Sequence, residues 1–495
     1  MAAVAAGFEC WYYGAPMVNE ITNGEAIDAR EAGLHRELSA RQISMIALGG
    51  AIGTGLFLGS ALSVKLAGPG VILSYAAASL VALALMWALA EMTLVHPVAG
   101  SFGIFAEIYL HPWAGFAIRY SYWLGTSVAI GSEVVAISIY CRYWFPGVPG
   151  WVWMLIFSAM ILAVNAASVG NFGTFEYWFA LIKVVTIIAF LLLGAALIFG
   201  IGFQPLGTKN FTGYGGFLPH GWTGVMLGVA IAIFSYIGIE TVAVAAGEAS
   251  DPQVAVPRAT RATFGRLALF YIGGIAVLVG VMPWTQAGLT ESPFVRVFDS
   301  VRIPHAAALM NFVVLTAALS SMNSNLYLTS RMIFSLSRGG YAPGFLGRVN
   351  ARGVPLAALL VSSIGMVIAI LVELRFQESA FVYTLGASFF AGLFGWFIIF
   401  LTHLAFRRKM AREGRELPMR FAPRRAWTSL AGLLAITGAF ISTWWIPGMK
   451  ITIYSGLPWL ALISLCYFLW ARGPKQNRAV KIQAKGQGTK GPDNG

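Results

Sequence analysis

Long apolar runs separated by short polar connections make up most of this chain, from about residue 43 to residue 470. Each run has roughly 20 residues, the length that an α-helix needs to cross the hydrocarbon core of a bilayer. The runs are continuous, whereas the strands of a membrane β-barrel alternate between apolar and polar residues. The pattern therefore predicts an all-α polytopic membrane protein.

Twelve transmembrane helices are predicted on this basis. The spans are Ile43–Leu66, Val71–Val95, Ala114–Cys141, Trp151–Ser168, Thr174–Ile201, Trp222–Glu248, Ala262–Trp284, Ala306–Arg331, Leu356–Leu374, Ala380–Phe406, Thr428–Trp445 and Ile453–Trp470. Tryptophan and tyrosine residues near their ends fit the aromatic belts of membrane interfaces. Acidic residues such as Glu9 and Glu20 precede the first span, which predicts a polar tail rather than a cleaved signal peptide.

Composition supports a membrane protein. Of the 495 residues, 58% are hydrophobic and 11% are charged, against about 45–50% and 25% in soluble proteins. This excludes an ordinary soluble enzyme, a disordered chain and a disulfide scaffold. The three cysteines, Cys10, Cys141 and Cys466, lie far apart, so no metal site or disulfide framework is predicted.

The net charge of +13 is explained by membrane topology. With the N-terminus inside, 24 of the 33 Lys and Arg residues fall in cytoplasmic segments and 7 in outer ones. Because positive charge accumulates on the inner side, both termini are predicted to be cytoplasmic. Nucleic acid is therefore not a predicted partner, and the basic cluster Arg407–Arg425 is expected to contact anionic membrane lipid.

The first span contains an unusual number of glycines. Five of the twelve residues from Leu48 to Gly59 are glycine, and each costs on the order of 1 kcal/mol relative to alanine inside a helix. One explanation is close helix packing through small residues. The other is an unwound stretch at Gly53, Thr54 and Gly55, where free N–H groups at the start of a half-helix would face an anion.

The sixth span places Ser235, Gly238, Glu240 and Thr241 at mid-depth in the membrane. A carboxylate there is costly unless it is paired, neutral or beside water, so Glu240 is either a bundle-stabilising or a functional residue. Interrupted helices at matching positions of two halves indicate a transporter binding site. Since spans 1 and 6 match in this way, we predict that spans 1–5 are repeated, inverted, as spans 6–10.

The two interruptions together suit an α-amino acid zwitterion. The N–H groups of Thr54 and Gly55 can bind a carboxylate. The carbonyl groups of Phe234, Ser235 and Ile237 can accept hydrogen bonds from an ammonium group. The predicted substrate site therefore lies between spans 1 and 6, with spans 3 and 8 lining it.

Lys183 lies about nine residues inside span 5, roughly 13 Å from its inner end at 1.5 Å per residue. It is either paired with a structural carboxylate, or an ammonium group in a cation site that exchanges a proton during transport. Ser320, Asn323 and Ser324 share one face of span 8 and are either its polar neighbours or partners in helix–helix hydrogen bonds.

Four other charged residues lie in or near the spans. Glu133, in the outer third of span 3, either tunes the substrate pocket or faces a wet vestibule. Glu91 and Glu176 lie near the inner ends of spans, which favours interfacial positions. Arg119, near the inner end of span 3, is expected to reach the interface with its long side chain.

Four ordered blocks of sequence lie between Glu37 and Arg408. They are Gly49–Ser60 with Ala67–Gly70 and Glu91-Met92, Phe175–Val184, the sixth span through Ala246–Glu248, and Arg331–Pro343 with Gly353–Pro355. These blocks resemble the amino acid–polyamine–organocation superfamily, and within it the amino acid transporter family of bacterial and fungal permeases.

The resemblance implies a LeuT-like fold of five-plus-five inverted repeats with two appended helices, and proton-coupled uptake of amino acids. It implies that Gly53 to Gly55 meet the substrate carboxylate and that Phe234 to Ile237 meet its amino group. Lys183 would replace the sodium ion of sodium-coupled relatives. Family members with different substrates share glutamates at Glu133, Glu240 and Glu248, so these residues do not indicate a cationic substrate. At the span 6 break this chain has Ile237-Gly-Ile-Glu240 instead of the frequent Gln-Gly-Thr-Glu, and the more apolar rim favours a neutral side chain.

The predicted organisation follows from these spans. Residues 1–40 form a cytoplasmic tail, 41–408 a transport core with repeats at about 43–201 and 222–406, 409–426 a basic cytoplasmic loop, 427–471 spans 11 and 12, and 472–495 a cytoplasmic tail.

The sequence thus predicts a plasma-membrane importer of a neutral amino acid that works by proton symport and alternating access. Its predicted substrate-binding residues are Gly53, Thr54, Gly55, Glu133, Phe234, Ser235 and Ile237, and its coupling or gating residues are Lys183 and Glu240. No cofactor is expected beyond the proton gradient as energy source. An amino acid/polyamine exchanger and a non-transporting sensor are alternatives. Scattered histidines without a nucleophile–base pair argue against a membrane-embedded enzyme.

Overall fold

The computed structural model describes residues 42, 45, 52–98, 100–167, 169–202, 204–246, 249, 251–289, 291–300, 305–376, 379–417 and 426–471. Helices account for the regular elements of this part of the chain. The predicted tails, most of the first half of span 1, the loop residues 418–425 and Glu248 lie outside the described residues.

The α-helices are numbered here in chain order. They are α1 (Ser60–Ala67), α2 (Val71–Val95), α3 (Ser101–Tyr109), α4 (Pro112–Arg142), α5 (Gly150–Ala167), α6 (Val169–Phe199), α7 (Lys209–Thr212), α8 (Gly221–Tyr236), α9 (Thr241–Ala245), α10 (Pro252–Ala268), α11 (Gly274–Val281), α12 (Pro293–Ser300), α13 (Ala306–Arg338), α14 (Leu356–Ser362), α15 (Ile364–Arg375), α16 (Ala380–Arg412), α17 (Trp427–Ser442) and α18 (Ile451–Cys466). Shorter π-helical turns lie at Gly55–Gly59, Leu269–Gly273 and Tyr467–Ala471, and 3-10 turns at Gly68–Gly70, Trp284–Gln286 and Gly344–Gly347.

Within the described residues, nine helical segments are long and apolar enough to cross a membrane. The first, Gly55–Val95, joins the end of predicted span 1 to span 2 through the Gly68–Gly70 turn. Spans 7 and 11 match shorter apolar helices, Leu269–Val281 and Trp427–Ser442. The protein is therefore a multi-pass helical membrane protein, while the count of twelve and the inverted repeat stay predictions.

Two helices differ from the sequence expectations because their patterns are weakly hydrophobic. α10 begins at Pro252, ten residues before the predicted start of span 7, with proline in the first-turn position that it favours. α12 was not predicted because it is short and alternates buried apolar residues such as Val295 with Arg296.

Two groups of helices pack tightly within themselves. α4 packs extensively against α13, α15 and α16, whereas α8 packs mainly against α1 and α2. Small residues permit the first packing: a Cβ on Gly125 would lie 2.0 Å from Ala391 Cβ, and one on Gly365 would lie 1.6 Å from the Ser127 carbonyl oxygen. The candidate site lies where the two groups meet.

Three charged residues correct the sequence expectations. Glu91, Arg119 and Glu176 are each 0% exposed, so their side chains are enclosed by other helices rather than directed out to an interface. Arg119 Nη2 donates to Glu107 Oε2 at 2.5 Å, and Arg407 Nη2 donates to Glu91 Oε1 at 2.7 Å. Their position along a span could not reveal this, because the partners come from other helices.

Candidate functional site

The break in span 1 includes Ile52 and Gly53, which are not helical, and a helix starts at Thr54. The carbonyl oxygen of Gly53 accepts hydrogen bonds from Leu56 N at 3.2 Å and Phe57 N at 3.3 Å. These bonds belong to the first turn of the half-helix, and the leading N–H groups of a helix are in general available to acceptors outside it.

One of these N–H groups faces a carboxylate of the protein itself. Thr54 N donates to Glu133 Oε2 at 3.3 Å, and Ser321 Oγ donates to Glu133 Oε1 at 2.8 Å. An added Cβ on Gly53 would lie 2.7 Å from Glu133 Oε1. The position therefore requires glycine, because any side chain would push the carboxylate away.

The break in span 6 coincides with the Ile237–Glu240 motif and overlaps the predicted amino-group site, Phe234 to Ile237, only at Ile237. α8 continues to Tyr236 and α9 begins at Thr241, so residues 237–240 form the connection. Gly238 within it has φ = 113°, a conformation that favours glycine. Phe234 and Ser235, predicted in the break, belong to the last turn of α8.

The carbonyl groups of this last turn already accept hydrogen bonds. Phe234 O accepts from Ile237 N at 3.1 Å, and Ser235 O accepts from Tyr271 Oη at 2.7 Å. Two of the three carbonyl groups predicted to accept from a substrate ammonium group therefore already accept one hydrogen bond from the protein. Ser235 Oγ donates to Gly55 O at 2.9 Å and joins the two broken spans directly.

A cavity lies beside both breaks. It encloses about 490 Å³ of space between atoms, part of it open to solvent. Its lining consists of Gly53, Gly55, Gly125, Thr126, Ala129, Ser132, Glu133, Phe234, Ser235, Ile237, Ser321, Asn325, Ser388 and Gly392. Six of the seven predicted substrate-binding residues are in this set; Thr54 lies behind it and contributes its N–H group to Glu133.

Several lining residues were not found by sequence reasoning. Thr126 and Ser132 come from α4, Asn325 from α13, and Ser388 and Gly392 from α16. A single hydroxyl or glycine within an apolar span gives no signal of its own. Span 10 in particular was not expected at the site.

Lys183 lies behind the span 1 break rather than in the cavity lining. It is fully buried, and its Nζ donates to the carbonyl oxygen of Ile52 at 2.9 Å. The carboxylates of Glu176 and Glu133 interact with it electrostatically. An ammonium group thus contacts the carbonyl side of the break and a carboxylate contacts the N–H side, each matching the local peptide dipole.

The predicted polar neighbours of Lys183 bind a different residue. Ser320 Oγ donates to Glu176 Oε1, and Asn323 Nδ2 donates to Glu176 Oε2 at 3.0 Å. Of the two alternatives for this face of span 8, helix–helix hydrogen bonding is therefore the one observed. Ser320 and Asn323 bind Glu176 on α6.

Glu240 connects the span 6 break to two other helices. Its Oε1 accepts a hydrogen bond from Tyr122 Oη of α4. Its Oε2 accepts from Gly238 N at 3.0 Å and from Trp396 Nε1 of α16 at 3.2 Å. Glu240 is fully buried and lies outside the cavity lining, so its contacts hold the break against α4 and α16.

The regions matched in known proteins include all the residues of the candidate site. The amino acid permease family model matches residues 42–479. The chain is 40% identical to the gamma-aminobutyric acid permease of Bacillus subtilis (strain 168) over 425 residues, 85% of this chain and 90% of that protein. It is also 40% identical to the aromatic amino acid transport protein AroP of Escherichia coli (strain K12) over 449 residues, 90% of this chain and 98% of that protein.

Proposed function

The chain belongs to the amino acid permease family, and on this premise we propose that it imports a neutral amino acid across the plasma membrane by proton symport. Membership makes it a transporter of amino acids and not an enzyme. Its relatives are named for different substrates, γ-aminobutyric acid and aromatic amino acids. The substrate class must therefore be argued from the cavity.

The observation that carries the proposal is the pair of opposite charges at the span 1 break. Glu133 accepts from Thr54 N, and Lys183 donates to Ile52 O. The N–H group is where the sequence predicts the substrate carboxylate, so Glu133 and the substrate compete for one donor. A proton on Glu133 removes its charge and frees the donor, which links entry of a proton to binding of a carboxylate.

The charges around the cavity favour a substrate with a neutral side chain. Glu133 is the one ionisable residue among the lining residues described. Both of its oxygens are engaged, by Ser321 and by Thr54. In the proposed cycle Glu133 is protonated when substrate binds, so a charged substrate side chain would find no partner of opposite charge, which is costly in a buried site.

Alternating access fits the two packed groups of helices. We propose that the group of α1, α2 and α8 rocks against the group of α4, α13 and α16, in a LeuT-like arrangement with both termini cytoplasmic. Glu240 spans the two groups through Tyr122 and Trp396. These bonds must change when the groups move, which supports a gating role for Glu240.

The test uses purified protein in liposomes with an imposed inward proton gradient. A panel of labelled amino acids is offered to wild type, to Lys183→Ala and to Lys209→Ala, a control at an exposed lysine of α7. We expect concentrative uptake of a neutral amino acid that a protonophore abolishes. Lys183→Ala should lose it and Lys209→Ala should keep it.

The opposite result would support exchange. Counterflow that ignores the gradient and survives Lys183→Ala would overturn proton symport and the role of Lys183. Binding without any flux would favour the sensor.

A further inference from the structure

Glu176 on α6 is an intramembrane carboxylate that the symport described above does not use. Its side chain is 0% exposed. Both oxygens accept hydrogen bonds from neutral groups of α13, Ser320 Oγ and Asn323 Nδ2. Among the described residues, no Lys or Arg forms an ion pair with it. An ionisable residue held in this way inside a membrane is costly and marks an ion or proton pathway.

The hydrogen bonds of Glu176 suit both protonation states. The ionised carboxylate accepts from the Ser320 hydroxyl and the Asn323 amide. A protonated carboxyl group can donate to the Ser320 oxygen, because a hydroxyl can also accept. Asn323 is itself oriented by Asn165, whose Nδ2 donates to Asn323 Oδ1 at 2.7 Å. The surroundings therefore let a proton arrive and leave without a large rearrangement.

Lys183 and Glu176 lie on the same face of α6. They are seven residues apart, which is two turns and about 10.5 Å along the axis. Side chains of a helix lean toward its N-terminus, so the Lys183 side chain leans toward Glu176. Lys183 interacts electrostatically with Glu176 and with Glu133, which lines the cavity. Lys183 thus lies between Glu133, at the substrate site, and Glu176, nearer the inner end of α6.

Few other charged or titratable groups face this pair. α5 and α11, which pack against α6, contain no titratable residue. The π-helical turn beside α6 contributes Tyr271, whose hydroxyl donates to Ser235 O. α13 contributes Tyr327 and Arg331 nearer its inner end, with the Arg331 guanidinium 4.0 Å from the centre of the Tyr327 ring. Protons leaving Lys183 toward the inner side therefore meet Glu176 first.

We propose that Glu176 is the inner proton acceptor of this transporter, an inference that rests on the proposed symport. When the span 1 break moves away from Lys183, the released ammonium group swings into hydrogen-bond contact with Glu176. One N–H bond of the ammonium then breaks and its electron pair stays on nitrogen. An O–H bond forms on Glu176, which leaves a neutral amine and a neutral carboxylic acid. The acid then gives its proton to water on the cytoplasmic side, and Lys183 regains a proton from Glu133 in the next cycle.

The test compares gradient-driven uptake with gradient-free counterflow in the same liposomes. Glu176→Gln should lower gradient-driven uptake at least tenfold while counterflow stays within threefold of wild type. Glu176→Asp should restore at least a third of the driven uptake, because the carboxylate returns. Asn323→Ala removes a donor but keeps the carboxylate, so its uptake should still respond to the gradient. Glu291→Gln, a partly exposed control near α12, should match wild type in both assays.

Two results would overturn the role of Glu176 alone. In one, wild type is driven by the gradient and Glu176→Gln keeps driven uptake within twofold. In the other, Glu176→Gln and Asn323→Ala lose driven uptake and counterflow equally, which would make the role structural. Wild-type uptake that ignores the gradient would instead overturn the symport itself, and the relay with it.

Discussion

Gly53→Ala is expected to weaken substrate binding without unfolding the protein. An added Cβ would lie 2.5 Å from Ser321 Oγ and 2.7 Å from Glu133 Oε1, whereas ordinary contacts begin at 3.4 Å. The neighbours must therefore retreat by 0.7–0.9 Å. Because both neighbours line the cavity, the retreat narrows it and moves Glu133 from Thr54 N, a bond already 3.3 Å long.

The size of the effect follows from the cost of overpacking. In the free protein the neighbours retreat and relieve the strain, and substrate binding requires them to return; an extra carbon in a well-packed site then costs about 1–3 kcal/mol. Since about 1.4 kcal/mol corresponds to tenfold in affinity, the Kd for substrate should rise by roughly 5- to 150-fold.

The assay is equilibrium binding of the labelled amino acid found in the uptake panel, with purified protein in nanodiscs. Gly59→Ala is the matched control in the same helical segment, because its Cβ would meet its nearest neighbours at an ordinary 3.6 Å. We expect Gly59→Ala to bind within twofold of wild type and both variants to keep a wild-type Tm within a few degrees. Equal binding by the two alanine variants would refute the steric reasoning.

Three further predictions concern the polar contacts. Arg407→Ala should lower the free energy of unfolding by about 3–5 kcal/mol, because it removes the guanidinium group from buried Glu91 and leaves that carboxylate only its contact with His403 Nε2. Exposed Arg408→Ala should change it by less than about 0.5 kcal/mol, and thermal unfolding compares the two. Burial lowers the pKa of His96, outside the spans, from 6.5 to about 4, so the unfolded chain binds more protons between these values. As the pH falls from 6.5 toward 4, the Tm of wild type should therefore fall more than the Tm of His96→Gln. Parallel curves of Tm against pH for the two proteins would contradict this. Tyr122→Phe removes a donor to the span 6 carboxylate, and initial rates should show a change in Vmax larger than that in KM.

Glycine content located the break in span 1, but hydrogen bonding decided where span 6 is interrupted. Phe234 and Ser235 stay helical because their carbonyls find donors, and the chain departs from the helix at Ile237, followed by Gly238 with its positive φ. The Ile237–Glu240 motif therefore marked the break correctly, whereas Phe234 and Ser235, assigned to the substrate amino group, lie in the helix before it.

The cavity residues also divide into those that the sequence identified and those that only the structure revealed. Glu133 was recognised as a candidate because an intramembrane carboxylate is rare and costly. Thr126, Ser388 and Gly392 were not recognised, because hydroxyls and glycines are common in membrane helices and acquire a role only from what lies opposite. Packing of α4 against α16 places them beside the two breaks.

The sequence alone determined that the chain is a helical membrane protein, where most of its helices begin and end, and which family it resembles. These properties depend on local hydrophobicity and on contiguous motifs, which neighbouring residues carry together. Only the tertiary structure decided which buried charges meet, such as Glu91 with Arg407 and Glu176 with Ser320 and Asn323. A buried charge needs a partner close in space, and helix packing supplies it from a distant part of the chain.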